Sequence, residues 1–208
     1  AYTSLEGMRC VNIIPEEIDV GKRAQMIAYN SKIITKGTIV DETIQESLKP
    51  RYKEHYQCTP EYNPLTIEGQ KTIAYEIHQQ VEEPDRVIVP MGSGGLLVSI
   101  WKGFRELKNL GKISSLPKLV GVQTQVSSPI VKKWRERVGE GTQEMSGMRS
   151  HALGILVKDP IYMSLAIKAI EESKGTAISI PESSMLSSAE ILARNEGIFA
   201  EPASALTI

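Results

Sequence analysis

Short runs of β-branched residues alternate with stretches of helical spacing along most of the chain. That alternation favours parallel sheets flanked by helices, an α/β plan, over any all-α or all-β layering. Residues 9–14 read as a strand ending at Pro15 and residues 21–29 as a helix with Ala24, Ile27 and Ala28 on one face. Residues 32–35 read as a second strand, Asp41 as the cap of a helix running to Leu48, and residues 55–58 as a third strand. Pro60, Asn63 and Pro64 then break the rhythm. The break predicts a small α/β domain over residues 1–59 and a large one over residues 60–208.

In the large domain the spacing predicts helices over 67–81, 96–107, 160–173 and 184–195, the last closed by Gly197. Strands are predicted over 86–89, 118–122 and 176–180. Residues 124–159 are less regular, and their glycine-containing part, 139–147, is expected to be a mobile surface segment. Residues 2–6 read as the last turns of a helix closed by Gly7, and Ile208 falls where another helix starts. The chain therefore reads as an internal fragment with both domains partial.

Charge narrows the range of partners. The 208 residues carry 24 basic and 25 acidic side chains, a formal charge of −1, with no long block of one sign. No strong field exists to attract a polyanion or a bilayer, so neither nucleic acid nor membrane is expected as a partner. No stretch approaches the roughly 20 apolar residues that span a bilayer, and the start lacks a signal-peptide pattern, which makes the cytoplasm the default. Cys10 and Cys58 each fall in a predicted short strand and read as buried thiols. His55 and His78 have no ligand partners at metal-binding spacing, and no metal site is expected. His151 lies in the irregular region and reads as a surface residue.

The most informative segment is Arg86-Val87-Ile88-Val89-Pro90-Met91-Gly92-Ser93-Gly94-Gly95-Leu96, an apolar strand followed by a glycine-rich turn over 91–96 and a helix start. Glycines permit positive φ and close approach of the backbone. Successive N–H groups can then converge on an anion at the positive end of the helix. A tight turn without a ligand would carry similar residues, and the glycines alone leave both readings open. The spacing matches neither a dinucleotide fingerprint nor a nucleotide P-loop.

Several segments resemble threonine synthases, in the same order and over nearly the whole chain. Asn63-Pro64-Leu65-Thr66-Ile67-Glu68-Gly69-Gln70-Lys71-Thr72 is similar to their N-P-x-R-x-E-G-Q-K-T segment. Glu196-Gly197-Ile198-Phe199-Ala200-Glu201-Pro202-Ala203-Ser204-Ala205 is similar to their E-G-I-F-x-E-P-A-S-A signature. The resemblance implies a fold-type-II, tryptophan synthase β-like enzyme that uses pyridoxal 5'-phosphate (PLP) on a small amino-acid substrate. A homo-oligomer, a dimer, is expected. Gly92, Ser93, Gly94, Gly95 and Leu96 map onto the residues that bind the PLP phosphate, and Thr66 and Glu201 onto positions that line the active site.

In the family the Schiff-base lysine lies upstream of the position matched by Ala1. No catalytic residue is therefore expected in this chain, which alone should be inert. The implied reaction of the parent is that of a lyase converting O-phosphohomoserine to threonine and phosphate. Thr66 departs from the arginine of threonine synthases, and Ser93 and Leu96 bring the loop closer to threonine dehydratases. A threonine or serine dehydratase is thus the alternative enzyme reading. A non-catalytic anion-binding domain is the alternative of another class.

Overall fold

The computed structural model describes residues 1–141, 150 and 152–208. The chain divides into two compact units, Ala1–Thr59 and Pro60–Ile208. The first unit holds a short helix α1 (Tyr2–Leu5), strand β1 (Val11–Ile14), helix α2 (Val20–Ala28), strand β2 (Lys32–Thr35) and helix α3 (Val40–Ser47). Strands β1 and β2 pair in parallel, with Val11 opposite Lys32 and Ile14 opposite Thr35. Helix α2 starts where the Asp19 carboxylate accepts the Lys22 amide at 2.9 Å. Helix α3 starts differently from expectation: Glu42 reaches back to the amide of Thr38 (2.6 Å), and Asp41 sits inside the first turn.

Residues 55–58 form no strand, contrary to the sequence reading. The Gln57 side-chain oxygen Oε1 accepts from both the amide and the hydroxyl of Thr59 at 2.9 and 2.5 Å, a local side-chain turn that competes with ladder pairing. Cys58 is correspondingly exposed in irregular backbone. Cys10 is half-buried just ahead of β1.

The second unit is built on a three-stranded parallel sheet in the order β3-β4-β5, formed by Arg86–Pro90, Lys118–Thr124 and Thr176–Ile180. Helices α4 (Leu65–Gln70) and α5 (Thr72–Val81) precede it. Helix α6 (Gly95–Asn109) crosses from β3 to β4, helices α7 (Pro129–Val138) and α8 (Met163–Glu172) lead to β5, and α9 (Glu182–Glu196) and α10 (Pro202–Ala205) follow. Among the described residues no helix is long and apolar enough to cross a membrane.

One cluster, including Val89, Met91, Leu97, Ile100, Phe104, Leu119, Ile130 and Ile170, seals one face of this sheet under α6, α7 and α8. A smaller one joins Val122 to Met185, Ala203 and Leu206 from α9 and α10. The near-continuous burial of β4, from Gly121 to Thr124, is what a central parallel strand requires.

Two helices depart from the sequence reading. The single helix expected over 67–81 is broken at Lys71, whose carbonyl accepts the Ala74 amide at 3.0 Å in a tighter i to i+3 turn. The stretch expected to be irregular contains α7, with Pro129 in its first turn and Gly139 closing it at φ +77°. Most of the segment 139–147 and His151 lie outside the described residues.

Candidate phosphate-binding site

Strand β3, first in the strand order, ends at Pro90. The Met91 amide still bonds the Val122 carbonyl at 2.8 Å, continuing the ladder by one residue. The chain then bends through Gly92, Ser93 and Gly94, and Gly94 stands at φ +91° as the cap of α6. That conformation strains any residue with a Cβ.

From Gly92 to Leu97, six successive amides have no hydrogen-bond acceptor among the described residues. Gly94 and Leu97 are buried and the others half-buried. The first amides of any helix lack intrahelical partners, and here Gly92 to Gly94 extend that set backwards along the turn. A run of six without partners, at the positive end of a 15-residue helix, has the chemistry of an anion cradle.

The loop is held from behind. A Cβ on Gly92 would come to 3.2 Å from the Ile155 backbone. One on Gly95 would meet the Tyr162 ring at 3.3 Å, and one on Gly94 would meet Ala166 and Ile130 at 3.1 and 3.2 Å. The Tyr162 amide donates to the Ser93 carbonyl at 3.1 Å, and its hydroxyl donates to the Pro60 carbonyl at 3.2 Å. Burial, reinforced by the carboxylate of Glu61, raises the Tyr162 phenol above its usual range. The ring therefore stays neutral behind the loop. The sequence reading passed over Tyr162, because nothing in its neighbourhood signals the contact with residues some 70 positions earlier.

Thr66 lies half-buried in the first turn of α4, its amide bonded to the Asn63 carbonyl at 3.0 Å. Glu201 is exposed at the start of α10, where its carbonyl accepts the amides of Ser204 and Ala205. Ala203 of α10 packs in the same cluster as Ile155, whose backbone backs Gly92. The structure thus brings Gly92 to Leu96 together as one cradle, with Thr66 and Glu201 on separate helices of the same unit.

Behind α6 lies a polar set that the sequence reading did not assemble. Lys71 pairs with Glu68 at 2.7 Å and with Glu106 at 3.0 Å, Lys102 pairs with Glu68, and the Tyr75 hydroxyl bonds Glu106. The Lys102 and Lys71 contacts hold the Glu68 carboxyl below the usual range. The Tyr75 hydroxyl, then Lys71, does the same for Glu106. The buried Ser99 hydroxyl lies 3.0 Å from Gln70 Oε1 and 2.8 Å from the Gly95 carbonyl.

At the far ends of β4 and β5, Glu182 accepts from Thr124 and from Ser150 (2.7 Å). The side-chain oxygen Oε1 of Gln123 accepts the Ile130 and Val131 amides, both at 3.0 Å. No group of three potential metal ligands occurs among the described residues.

Comparison with known proteins identifies the family. All of residues 1–208 match the family model described as pyridoxal-phosphate dependent enzyme. The chain is 37% identical, over its whole length, to 52% of the threonine synthase of Methanocaldococcus jannaschii, and 35% identical to 52% of that of Methanosarcina acetivorans. It spans about half the length of the curated relatives it matches. Serine racemase from Dictyostelium discoideum superimposes with a TM-score of 0.69 over 99% of this chain and 62% of that one; at 19% identity the likeness concerns the fold. With a family match over its full length, the chain belongs to the pyridoxal-phosphate dependent enzymes.

Proposed function

We propose that the amides of Gly92, Ser93, Gly94, Gly95 and Leu96 hold the phosphate of PLP, and that the protein acts as a threonine synthase-like lyase on O-phosphohomoserine. The observation that carries the first part is the run of unpartnered amides at the start of α6. The family match and the threonine synthase names of the relatives support the second. When bound, the cofactor supplies an electron sink for carbanions formed on an amino acid.

This chain's own residues anchor and orient. The α6 amides and helix dipole bind a dianion, while Tyr162, Ile155 and Ile130 back the loop. Thr66 and Glu201 line the substrate side in this reading. The two units, 1–59 and 60–208, act as the small and large domains of the enzyme. Its two free thiols suit a reducing compartment such as the cytoplasm, and the homodimer implied by the family resemblance belongs to this reading.

A second enzyme reading rests on Thr66, Ser93 and Leu96. A short hydroxyl cannot make the planar, charged two-pronged contact with a substrate phosphate that arginine makes. This favours a threonine or serine dehydratase. Assaying the complete protein separates the two: phosphate released from O-phosphohomoserine, with no 2-oxobutyrate from threonine, supports the synthase. The reverse pattern supports the dehydratase and overturns the synthase assignment.

A further inference from the structure

We propose that Gln70, acting through Ser99, is a positioning residue for the phosphate loop. The inference rests on the reading that the amides of residues 92–97 hold a phosphate. Ser99 is fully buried in α6, and its hydroxyl lies 2.8 Å from the Gly95 carbonyl and 3.0 Å from the Gln70 side-chain amide. A hydroxyl has a single proton to share between those two acceptors. An amide presents a carbonyl on one side and N–H donors on the other. In the structure Gln70 Oε1 faces the hydroxyl and accepts from it; turning the amide over presents its NH₂ instead, which donates to the hydroxyl oxygen and frees the proton for the Gly95 carbonyl. In either orientation Gln70 fixes the Ser99 rotamer.

The consequence reaches the loop through one peptide plane. The Gly95 carbonyl and the Leu96 N–H belong to the same rigid unit. Tethering the oxygen from the core side aims the N–H at the anion, and a hydrogen bond to the carbonyl polarises that N–H into a stronger donor.

Gln70 is itself held in place on both sides. Its neighbours Glu68 and Lys71 are ion-paired to Lys102 and Glu106, the next two turns of α6. Residues 68, 70 and 71 thus fasten α4 to positions 99, 102 and 106 along one stripe of the loop's helix. The anchor nearest the loop is the neutral one.

The test compares PLP with pyridoxal, which lacks the phosphate, on the complete protein. The variants are Gln70→Leu, Ser99→Ala, the pair combined, and Gln70→Glu. PLP affinity is expected to fall about threefold to tenfold in each single variant, the range of one lost hydrogen bond. Pyridoxal affinity stays at the wild-type value, and the phosphorus resonance of bound PLP moves. The double variant loses no more than the larger single loss, because the two residues form one path. Gln70→Glu offers only acceptors, draws the Ser99 proton away from Gly95, and weakens PLP binding although the side chain keeps its size.

Ile170→Val, a core change away from the loop, lowers thermal stability and leaves PLP affinity unchanged. Wild-type PLP affinity in the Gln70 and Ser99 variants, an equal loss for pyridoxal, or additive losses in the double variant would each overturn the positioning role alone. A wild-type protein that binds PLP no better than pyridoxal would remove the phosphate-loop reading and this inference with it.

Discussion

Gly103→Ala puts the packing behind the loop to a quantitative test. Gly103 lies in the middle of α6 where α5 crosses it, and a Cβ there would stand 2.4 Å from the Lys71 carbonyl oxygen and 2.6 Å from the Ala74 Cβ. Ordinary contact begins at 3.4 Å, so the helices must part by about 1 Å or bend. The obstructing oxygen cannot easily yield, because it accepts the Ala74 amide at the helix break. Replacing glycine by alanine inside a helix contributes about 1 kcal/mol in favour of folding. Overpacking against backbone costs about 3 kcal/mol, the upper end of its usual range.

The net is a loss of about 2 kcal/mol, or a fall in thermal midpoint of about 5 °C. Gly69→Ala supplies the contrast: it is also helical, a Cβ there meets nothing within 4 Å, and only the favourable part remains. Differential scanning fluorimetry on both variants checks the pair. A Gly103→Ala midpoint equal to or above the wild type would refute the close helix crossing.

Three further outcomes follow from single contacts. Gly94→Ala forces a Cβ into a φ of +91° and against Ala166 and Ile130, so PLP affinity by titration is expected to drop at least about tenfold. Gln123→Leu strips the acceptor from the Ile130 and Val131 amides and costs about 2 to 4 kcal/mol in urea unfolding; Gln123→Glu, which keeps an acceptor at a helix start, costs less. The carboxyls of Glu68 and Glu106 sit below their unfolded range, so their stabilisation is full above the unfolded pKa of about 4.3 and is lost as pH falls through the lower folded values. Glu106→Gln should flatten the acid limb of stability against pH, and an unchanged limb would exclude the ion-pair network as its source.

The alternation of elements in the large unit was legible because each signal is local. The strands over 86–90 and 118–124 declare themselves by β-branched runs, and α6 by its apolar stripe. What local pattern could not supply was competition from elsewhere. The helix break at Lys71 has no breaker residue; it coincides with the point where Gly103 lets α6 press against the Lys71 carbonyl. Helix α7 did carry a readable signature, Pro129 near its start and Gly139 at its end, with Ile130 and Val131 buried in the first turn. It was obscured by the polar sequence that follows. The reading of residues 55–58 as a strand failed because propensity names no partner strand, and Gln57 satisfies nearby backbone by itself.

For the site, glycine spacing signals a turn of unusual backbone because conformation is encoded in residue type, and Gly94 at φ +91° is such a case. The support behind the cradle is encoded in no single segment. Ser99 interrupts the buried run Leu97, Val98, Ile100 and Trp101 with a hydroxyl, and that interruption is itself a usable signal. A polar group committed to the core must have a partner or destabilise the fold. Sequence alone says that some partner exists; only the packing of α4 against α6 identifies it as Gln70, 29 residues away. A buried hydroxyl one helical turn beyond a glycine-rich loop is therefore the feature to seek when asking what aims such a loop at its anion.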